Sequence, residues 1–360
     1  MERKELTRKE LCANIKEAEM AFSCHGIWKS CAPYGNGHIN DTFLCVTAEG
    51  RRLILQRINH AVFKKPEAIM ENICRVTDHI RGKVPADGDV ARATLTVLPT
   101  TDGHAYFRDG IGSYWRLYDF VEGTVTRERA ESIREFSACA EAFGRFGGVL
   151  ADFPAHTLYE AIPHFHDTPA RFRALMEAVE RDPVGRVASV QREIDFVKER
   201  ESFASVLENA HATGALPLRV THNDTKLNNI LFDEVTHLPV CVIDLDTVMP
   251  GYSVNDFGDS IRFGANTAAE DETDLSRVSL DLSLYDAYRE GFLRGCDGAL
   301  NREEIALLPV GARMMTFECG MRFLTDYIEG DTYFRIARPE HNLDRCRCQF
   351  ALLSDMERKL

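Results

Sequence analysis

The stretch Val220-Thr-His-Asn-Asp-Thr-Lys-Leu-Asn-Asn-Ile-Leu-Phe-Asp233 decides how this chain is to be interpreted. It places a histidine, an aspartate and an asparagine close together, as His222, Asp224 and Asn229. Taken alone, the segment His-Asn-Asp-Thr is equally typical of a polar turn that leads into an edge strand. The residues that follow along the chain lower the weight of that simpler interpretation.

A second acidic run, Val242-Ile-Asp-Leu-Asp246, follows on an apolar, β-branched segment. Alternation along a strand predicts that Asp244 and Asp246 point to the same face. Two carboxylates on one face repel each other unless a cation lies between them. We therefore predict that Asp244 binds a divalent metal, whereas Asp246 either joins it or caps the turn that follows.

These side chains suit the transfer of a phosphoryl group to a hydroxyl. A carboxylate within hydrogen-bond reach can accept the hydroxyl proton and orient the attacking oxygen, and we assign this role to Asp224. His222 is placed to brace the backbone of the loop. The amide oxygen of Asn229 and the carboxylate of Asp244 are ligands of the kind that Mg²⁺ prefers. The sequence therefore predicts a kinase that uses ATP and Mg²⁺.

Length and composition fit an ordinary globular enzyme, with 360 residues of which 44% are hydrophobic and 28% charged. The formal charge of −13 argues against binding to nucleic acid or to an anionic membrane, because either needs a basic face. The 11 cysteines include no C-x-x-C pair, so a reducing cytoplasm fits best. The sequence shows no apolar segment typical of a signal peptide or a membrane span.

The pattern of elements changes near residue 122, from mainly strands to mainly helices. Before it we predict helices over 4–24 and 66–80 and strands over 28–34, 42–47, 51–58, 92–98 and 113–121. After it we predict helices over 128–151, 168–180, 189–211, 279–295 and 302–329, a terminal helix from about 341, and a hairpin from 229–232 and 240–245. The sequence thus predicts an α+β fold with two lobes: residues 1–121 bind the nucleotide, and residues 122–360 carry catalysis and the acceptor.

Three further segments have two interpretations each. Gly35 and Gly37 would let the backbone approach phosphate oxygens, although a lone G-x-G is equally typical of a β-turn. His38 beside them either reaches the active site or lies on a surface turn. Asp256 begins an Asp-Phe-Gly triplet that is too distant from the loop to supply the metal ligand, so it caps a helix or braces the loop. Arg322 either forms an ion-pair ladder with carboxylates one turn away or points into an acceptor pocket.

Together these residues resemble the aminoglycoside phosphotransferase and choline kinase-like superfamily, whose fold is bilobal and protein-kinase-like. Within it the chain is similar to the N-acetylhexosamine 1-kinases. The resemblance covers most of the chain and rests on the segments Pro33–Asn40, Ile162–Pro169, Arg219–Leu231, Ile243–Thr247, Asp256–Gly264 and Glu318–Leu324. The loop alone indicates only the superfamily, whereas the longer segments indicate the sugar kinases.

The resemblance implies transfer of the γ-phosphoryl group of ATP to the anomeric hydroxyl of GlcNAc or GalNAc. It implies that Asp224 is the base and that Asn229 and Asp244 hold Mg²⁺. The implied acceptor contacts are Arg322 and His38, with Asp246, Phe263 and Tyr333 as further candidates. The implied nucleotide contacts are Gly35, Gly37 and Asn40, together with the hinge backbone from Asp119 to Val121, which would bond to adenine.

One departure from kinase-like folds stands out on the third strand. These folds usually place a lysine there to hold the α- and β-phosphates, whereas this chain has Gln56 at that position. Glutamine cannot neutralise phosphate charge, so either another cation substitutes or the affinity for nucleotide is modest. A non-catalytic nucleotide-binding protein and a kinase for amino alcohols or aminoglycosides therefore remain as alternatives. The first is opposed by the intact loop residues, and the second by Arg322, because a cationic acceptor calls for an acidic pocket.

Overall fold

The computed structural model describes residues 8–35 and 39–360 and confirms the α+β fold. The first part contains the helices α1 (Arg8–Ala21), α2 (Pro66–Lys83) and α3 (Val90–Ala93) and the strands β1 (Trp28–Pro33), β2 (Asp41–Thr47), β3 (Arg52–Ile58), β4 (Val97–Leu98), β5 (Phe107–Arg108), β6 (Tyr114–Asp119) and β7 (Thr124–Val125). Gly37 and His38 lie outside the described residues. None of the helices described is long and apolar enough to cross a membrane.

The later part of the chain is mainly helical. Its helices are α4 (Ile133–Val149), α5 (Thr168–Arg181), α6 (Gln191–Lys198), α7 (Val206–Ala212), α8 (Ser253–Gly264), α9 (Leu282–Cys296), α10 (Arg302–Ile328) and α11 (His341–Lys359). Four short strands lie among them: β8 (Arg219–Thr221), β9 (Ile230–Asp233), β10 (Pro239–Val242) and β11 (Met249–Gly251). The predicted hairpin is confirmed, since β9 pairs with β10 in a sheet that β7 completes.

Contacts divide the chain into two compact units. Unit 1 comprises the described part of Met1–Val125 with Thr157–Pro163 and Leu231–Met249. Unit 2 comprises Thr126–His156, His164–Ile230 and Pro250–Leu360. Residues 222–229, which we call the candidate loop, belong to unit 2, whereas the acidic run over 242–246 belongs to unit 1. The lobe boundary between residues 121 and 122 stays a prediction.

Unit 1 is built on an antiparallel sheet in the order β1-β2-β3-β6-β4, with β5 pairing to β6. Apolar residues of the sheet, such as Leu53 and Trp115, pack against Ala18 of α1 and against Phe22, which follows that helix. The register sets Gln56 opposite Thr42 on one side and Arg116 on the other. Three polar side chains therefore form a row across neighbouring strands.

Two predicted elements are wrong in part. The strand predicted over 92–98 is a strand only at its end, because Asp89 accepts the N–H of Ala91 and begins the short helix α3. The helix predicted over 189–211 is interrupted, since α6 ends at Lys198 and the 3₁₀ segment Glu201–Ser205 precedes α7. Periodicity alone did not reveal either change of local structure.

In unit 2, helices α4 and α9 contact each other backbone to backbone. A Cβ atom added to Gly144 would overlap the carbonyl oxygen of Phe292, and one added to Gly291 would overlap that of Ser137. Gly295 is equally close to the carbonyl oxygen of Glu141. Only glycine fits at these positions, because a real Cβ cannot approach so near. Helix α4 in turn carries the aromatic side chains that contact the candidate loop.

Candidate active site

The Asp224 carboxylate is held from two sides within the loop that follows β8. Lys226 places Nζ 2.7 Å from one carboxylate oxygen, Oδ1. The amide Nδ2 of Asn229 donates to the other oxygen, Oδ2, at 3.0 Å and to the backbone carbonyl of Asp224 at 2.8 Å. Each carboxylate oxygen has two acceptor positions, so both contacts leave room to accept a proton. The geometry suits an oriented base.

His222 braces this loop in the way that the sequence predicts. Its ring is fully buried and meets the edges of Phe143 and Phe146 at centroid distances of 5.6 and 5.9 Å. The backbone N–H of Asp224 lies 3.3 Å from Nδ1 of His222, which accepts its hydrogen bond. The histidine thereby links the loop to helix α4.

Asp256 holds the backbone of the same loop. Its carboxylate accepts the N–H of His222 at 2.8 Å and that of Asn223 at 2.7 Å. These bonds support Asn223 in a left-handed conformation with φ of 64°. Burial raises the pKa of Asp256, although His222 and these N–H groups oppose the rise. Asp256 therefore braces the loop and does not cap α8, which begins earlier, at Ser253 after Tyr252.

The prediction that Asp244 and Asp246 alternate along a strand is wrong. Strand β10 ends at Val242, before either residue. Asp244 adopts a left-handed conformation with φ of 59° and is exposed, whereas Asp246 lies in a 3₁₀ segment and is only 2% exposed. Their different surroundings come from this backbone turn, which a two-residue period cannot describe.

Asp246 belongs to a buried polar network within unit 1. Arg116, which is 1% exposed, forms an ion pair with it, and Nδ2 of Asn40 donates to its Oδ2 at 2.5 Å. Burial lowers the pKa of Arg116, but attraction to Asp246 outweighs this and holds the pKa above its ordinary value. Nε of Arg116 also donates to Gln56 at 2.9 Å, and Gln56 donates to Thr42 at 3.0 Å. Gln56, which occupies the position where kinase-like folds usually have a lysine, thus helps to hold Arg116.

Some backbone groups of Asp119 to Val121, the segment predicted to contact adenine, already form hydrogen bonds within unit 1. The N–H of Asp119 donates to Thr96 at 3.0 Å, and the carbonyl of Val121 accepts from Thr124 at 2.7 Å. The side chain of Asp119 pairs with Arg51. Of the groups predicted to contact adenine, the N–H of Val121 is thus a better candidate than the N–H of Asp119. Gly35 has φ of 73°, which glycine adopts without strain.

Arg322 does not form the ion-pair ladder that its spacing allows. Glu318 instead accepts hydrogen bonds from Thr168 at 2.7 Å and from His166 at 2.8 Å. Asp326 accepts backbone N–H groups of the following loop, including that of Tyr333 at 2.7 Å. Both neighbouring carboxylates are therefore committed to other partners.

The guanidinium of Arg322 lies among aromatic rings. Its Cζ is 5.5 Å from the ring centroids of Phe165 and Phe334 and 6.0 Å from that of Tyr333. Arg171 lies close to Arg322. Burial lowers the pKa of Arg171, and repulsion from Arg322 lowers it further. We call this cluster of aromatic and cationic side chains the arginine pocket; the carboxylates of Glu318 and Asp167 lie within electrostatic reach of its guanidinium groups.

Phe263 is not among the three aromatic rings described around the guanidinium of Arg322. It helps to line a cavity of about 640 Å³ that also meets the loop at Thr225 and Leu227. Arg322 and Tyr333 are absent from the described residues that line this cavity. The structure therefore brings Arg322 and Tyr333 together, whereas Phe263 lines the cavity.

Glu208 is a titratable residue in α7 that the sequence reasoning did not single out. Burial raises the pKa of Glu208 to about 7, and the charges of Asp167 and Glu318 add to the rise. Its Oε2 is buried and has no hydrogen-bond partner among the described residues. The folded state therefore favours the protonated form, and this stabilisation is lost as pH rises from about 4.5 through about 7.

We expect Glu208→Gln to stabilise the protein at pH 8 by about 1–2 kcal/mol, a value reduced for solvent screening of a partly exposed group. The gain should shrink toward zero near pH 5, where wild-type Glu208 carries its proton in the folded state. Urea denaturation followed by circular dichroism at both pH values measures it. Glu201→Gln, at an exposed position, is the control, and an equal gain at both pH values would contradict the prediction.

Lys226 is the main candidate that sequence reasoning missed. Its signal was present as the spacing Asp-x-Lys within the loop, which puts an ammonium near the carboxylate two residues earlier. The segment around His166 was also unexplained. In the structure it anchors α5 to α10, because Asp167 caps α5 through the N–H of Ala170 while His166 and Thr168 bind Glu318.

The residues of the candidate loop lie within a region that matches a known protein family. A profile of the Phosphotransferase enzyme family (APH) matches residues 30–291, which is well over half of the chain. The matched range contains the loop, the acidic run and helix α8. Arg322 and the C-terminal helices α10 and α11 lie beyond it.

Solved structures agree over nearly the full length. An amicoumacin kinase solved with AMP-PNP, Ca²⁺ and Ami has a TM-score of 0.62 at 12% identity, over 98% of this chain and 96% of that chain. An aminoglycoside phosphotransferase from Alicyclobacillus acidocaldarius gives 0.61 at 13% identity, over 99% and 97%. A microcompartment-associated aminopropanol kinase gives 0.60 at 15% identity, over 97% and 96%. At these identities the likeness establishes the fold alone.

Proposed function

Since the chain belongs to the phosphotransferase enzyme family, we propose that it transfers the γ-phosphoryl group of ATP to the anomeric hydroxyl of an N-acetylated hexosamine, GlcNAc or GalNAc. The observation that carries the choice of acceptor is the arginine pocket. Its cationic and aromatic side chains suit a neutral sugar that offers a carbonyl oxygen. The same surroundings disfavour an acceptor that carries a positive charge.

Asp224 is the base in this proposal. Its carboxylate accepts the proton of the acceptor hydroxyl while the new bond to phosphorus forms. Asn229 and Lys226 fix the direction of the carboxylate, because each binds a different oxygen. Asp256 and His222 hold the loop backbone, so the base is oriented before the acceptor arrives.

The residues present fit a divalent metal, which we propose to be Mg²⁺. Both described hydrogen bonds of the Asn229 side chain use Nδ2, so its amide oxygen is left for a metal. Asp244 adds an exposed carboxylate. These are hard oxygen ligands, and the metal supplies charge neutralisation to the phosphates of ATP. We also propose Gly35, Asn40, Gln56 and the backbone of Asp119 to Val121 as contacts of the nucleotide-binding region.

The acceptor contacts in this proposal are Arg322 and Tyr333, which lie together, with His38, Asp246 and Phe263 as additional candidates. A guanidinium over aromatic rings keeps its donors directed, and an acetamido carbonyl accepts from it. Asp246 is the least accessible of the candidates that the structure describes, because it is buried against Arg116. Contact between Asp246 and an acceptor would require one of its present partners to be displaced.

Two other functions compete with this one. The first is phosphorylation of an amino alcohol or aminoglycoside, which the names of the similar structures favour. The second is a regulatory role in nucleotide binding without catalysis, which Gln56 favours. The described contacts of the Asp224 carboxylate argue for catalysis, and the two guanidinium groups of the arginine pocket argue for an uncharged acceptor.

An acceptor panel tests the proposal. We expect ADP release in the presence of ATP, Mg²⁺ and GlcNAc or GalNAc to exceed release with glucose, galactose, choline or kanamycin by about tenfold or more in kcat/KM, because each poorly matched acceptor forfeits at least one hydrogen bond. A coupled ADP-release assay measures it, and ³¹P NMR identifies the sugar 1-phosphate.

The remaining outcomes separate the alternatives. Preferred turnover of choline or kanamycin would assign the chain to the kinases of cationic acceptors. Absence of ADP release with every acceptor, while ATP still binds by calorimetry, would favour the regulatory role. Arg322→Met should remove the preference for the N-acetylated sugars, whereas Arg173→Met on α5 is a control outside the arginine pocket.

A further inference from the structure

Two cysteines face each other at the edge of the sheet in unit 1. Cys31 on β1 and Cys45 on β2 are direct partners in the antiparallel register, and their sulfur atoms lie 2.6 Å apart. Residues directly opposite each other on antiparallel strands have Cα atoms about 4.5–5.5 Å apart, which lies within the range that a disulfide requires. The strands can therefore accept a bond between the two sulfurs without a large movement of the backbone.

The two thiols differ in their access to solvent. Strand β1 is the first in the sheet order β1-β2-β3-β6-β4, and Cys31 on it is partly exposed. Cys45 is fully buried in the apolar cluster that also contains Ala18 and Phe22. A small reagent that approaches the edge of the sheet thus meets Cys31 first, with Cys45 in contact behind it.

The protonation of Cys45 depends on its neighbour. The hydrogen bond with Cys31 raises the pKa of the Cys45 thiol far above its ordinary value, and burial raises it further. Cys45 therefore keeps its proton while both residues are thiols. Once Cys31 has reacted and carries no S–H group, the first of these causes is removed, and Cys45 is left beside an electrophilic sulfur.

We propose that Cys31 and Cys45 form a reversible disulfide when a low-molecular-weight disulfide such as glutathione disulfide oxidises the protein, and that this bond covalently closes the β1–β2 hairpin. All 11 cysteines are free thiols in the structure, so the pair is described in its reduced state. Spacing along the chain does not indicate the pair, because its members lie 14 positions apart and only the strand register brings them together. The inference depends neither on the acceptor nor on the role of Asp224.

The oxidation takes place in two exchange steps. The thiolate of Cys31 attacks one sulfur of glutathione disulfide, so that a mixed disulfide forms and one glutathione leaves as a thiol. The thiolate of Cys45 then attacks the sulfur of Cys31, which forms the intrachain bond and releases the second glutathione. The two cysteines lose two electrons and two protons, and one glutathione disulfide becomes two glutathione thiols. A dithiol such as dithiothreitol reverses both steps.

Mass spectrometry of the full-length protein tests the bond directly. After equilibration with excess glutathione disulfide, free thiols are blocked with iodoacetamide and the chain is cut with trypsin. Cleavage after Lys29 and Arg51 gives one peptide that contains both cysteines, since neither lysine nor arginine lies between them. We expect this peptide to carry no blocking group and to be two hydrogens lighter than the dithiol. After dithiothreitol it should carry two blocking groups.

Variants and an internal control identify the partners. Cys12 is exposed and should carry one glutathione, which shows that the oxidant has acted. In Cys45→Ser, Cys31 should retain a bound glutathione because the second step cannot occur. If the wild-type peptide takes up two blocking groups while Cys12 is modified, the proposal is overturned. Glutathione retained on Cys31 of the wild type, as in Cys45→Ser, would overturn it equally.

Urea denaturation tests whether the bond constrains the hairpin. A disulfide that closes a loop of about 15 residues restricts the unfolded chain, so the oxidised wild type should unfold at a urea concentration about 1 M above that of the reduced wild type. Fluorescence of Trp28, which lies on β1, and of Trp115 follows the transition. Cys31→Ser given the same oxidation should show no such shift. An unchanged midpoint in a wild type that contains the disulfide would refute closure of the hairpin.

Discussion

Asp224→Asn is expected to reduce kcat by a factor of roughly a hundred to ten thousand, the range over which general bases contribute to enzyme rates. Asparagine keeps the shape of aspartate, and its single amide oxygen can still accept from Lys226 or from Asn229, although not from both. The bonds from Asp256 and His222 to the loop backbone are unchanged, so the loop should retain its conformation. Asparagine cannot take up the proton of the acceptor hydroxyl. Binding of ATP with Mg²⁺ should stay within about threefold of wild type, because Asp224 is not among the proposed phosphate or metal contacts.

The coupled ADP-release assay with saturating ATP and acceptor gives kcat, and calorimetry gives the affinity for ATP. Asp195→Asn, at an exposed position on α6, serves as a control for the effect of a lost carboxylate and of purification. A residual kcat above about a tenth of the wild-type value would exclude Asp224 as the base. A matching collapse of ATP affinity would instead place Asp224 among the ligands of the metal.

Arg116→Met should have the largest effect on stability, a loss of about 3–5 kcal/mol in the free energy of unfolding. The substitution leaves the carboxylate of Asp246 buried without its cation, and Gln56 loses a donor. Replacing both charges should be milder, since removal of an entire buried pair costs less than removal of one partner. Arg116→Met with Asp246→Asn should therefore recover at least half of the loss.

Tryptophan fluorescence during urea denaturation reports on this change, because both tryptophans of the chain, Trp28 and Trp115, lie in unit 1. Arg51→Met removes a more exposed pair with Asp119 and should cost no more than about 1 kcal/mol. The expectation fails if Arg116→Met costs as little as Arg51→Met. It also fails if the double variant is no more stable than the single one.

The sequence predicted those parts of the site that depend on local spacing. His222, Asp224 and Asn229 lie within eight residues of one another, so the loop imposes their proximity almost independently of the rest of the fold. The β9–β10 hairpin was predictable for the same reason, since two short apolar runs flank a brief polar turn. The change from strands to helices near residue 122 followed from periodicity.

Contacts between distant segments were beyond this reasoning. The pairing of Arg116 with Asp246 joins residues 130 positions apart, and no local pattern indicates it. The surroundings of Asp244 depend on a left-handed residue after β10, which an apolar run does not predict. The sequence could not decide whether Arg322 pairs with the carboxylates one turn away or lies in an acceptor pocket. The answer depends on Glu318, which instead binds His166, 152 positions away along the chain.

The glycines that join α4 to α9 restrict how this protein can vary. Gly144, Gly291 and Gly295 each accept a single residue type, since any side chain would meet a carbonyl oxygen of the partner helix. Random mutagenesis should therefore find these positions as intolerant of substitution as the loop that carries Asp224. Their intolerance would reflect the spacing of two helices, one of which supports His222 through Phe143 and Phe146. The restriction to glycine at these positions thus arises from helix packing, and it would affect catalysis only indirectly, through the support of His222.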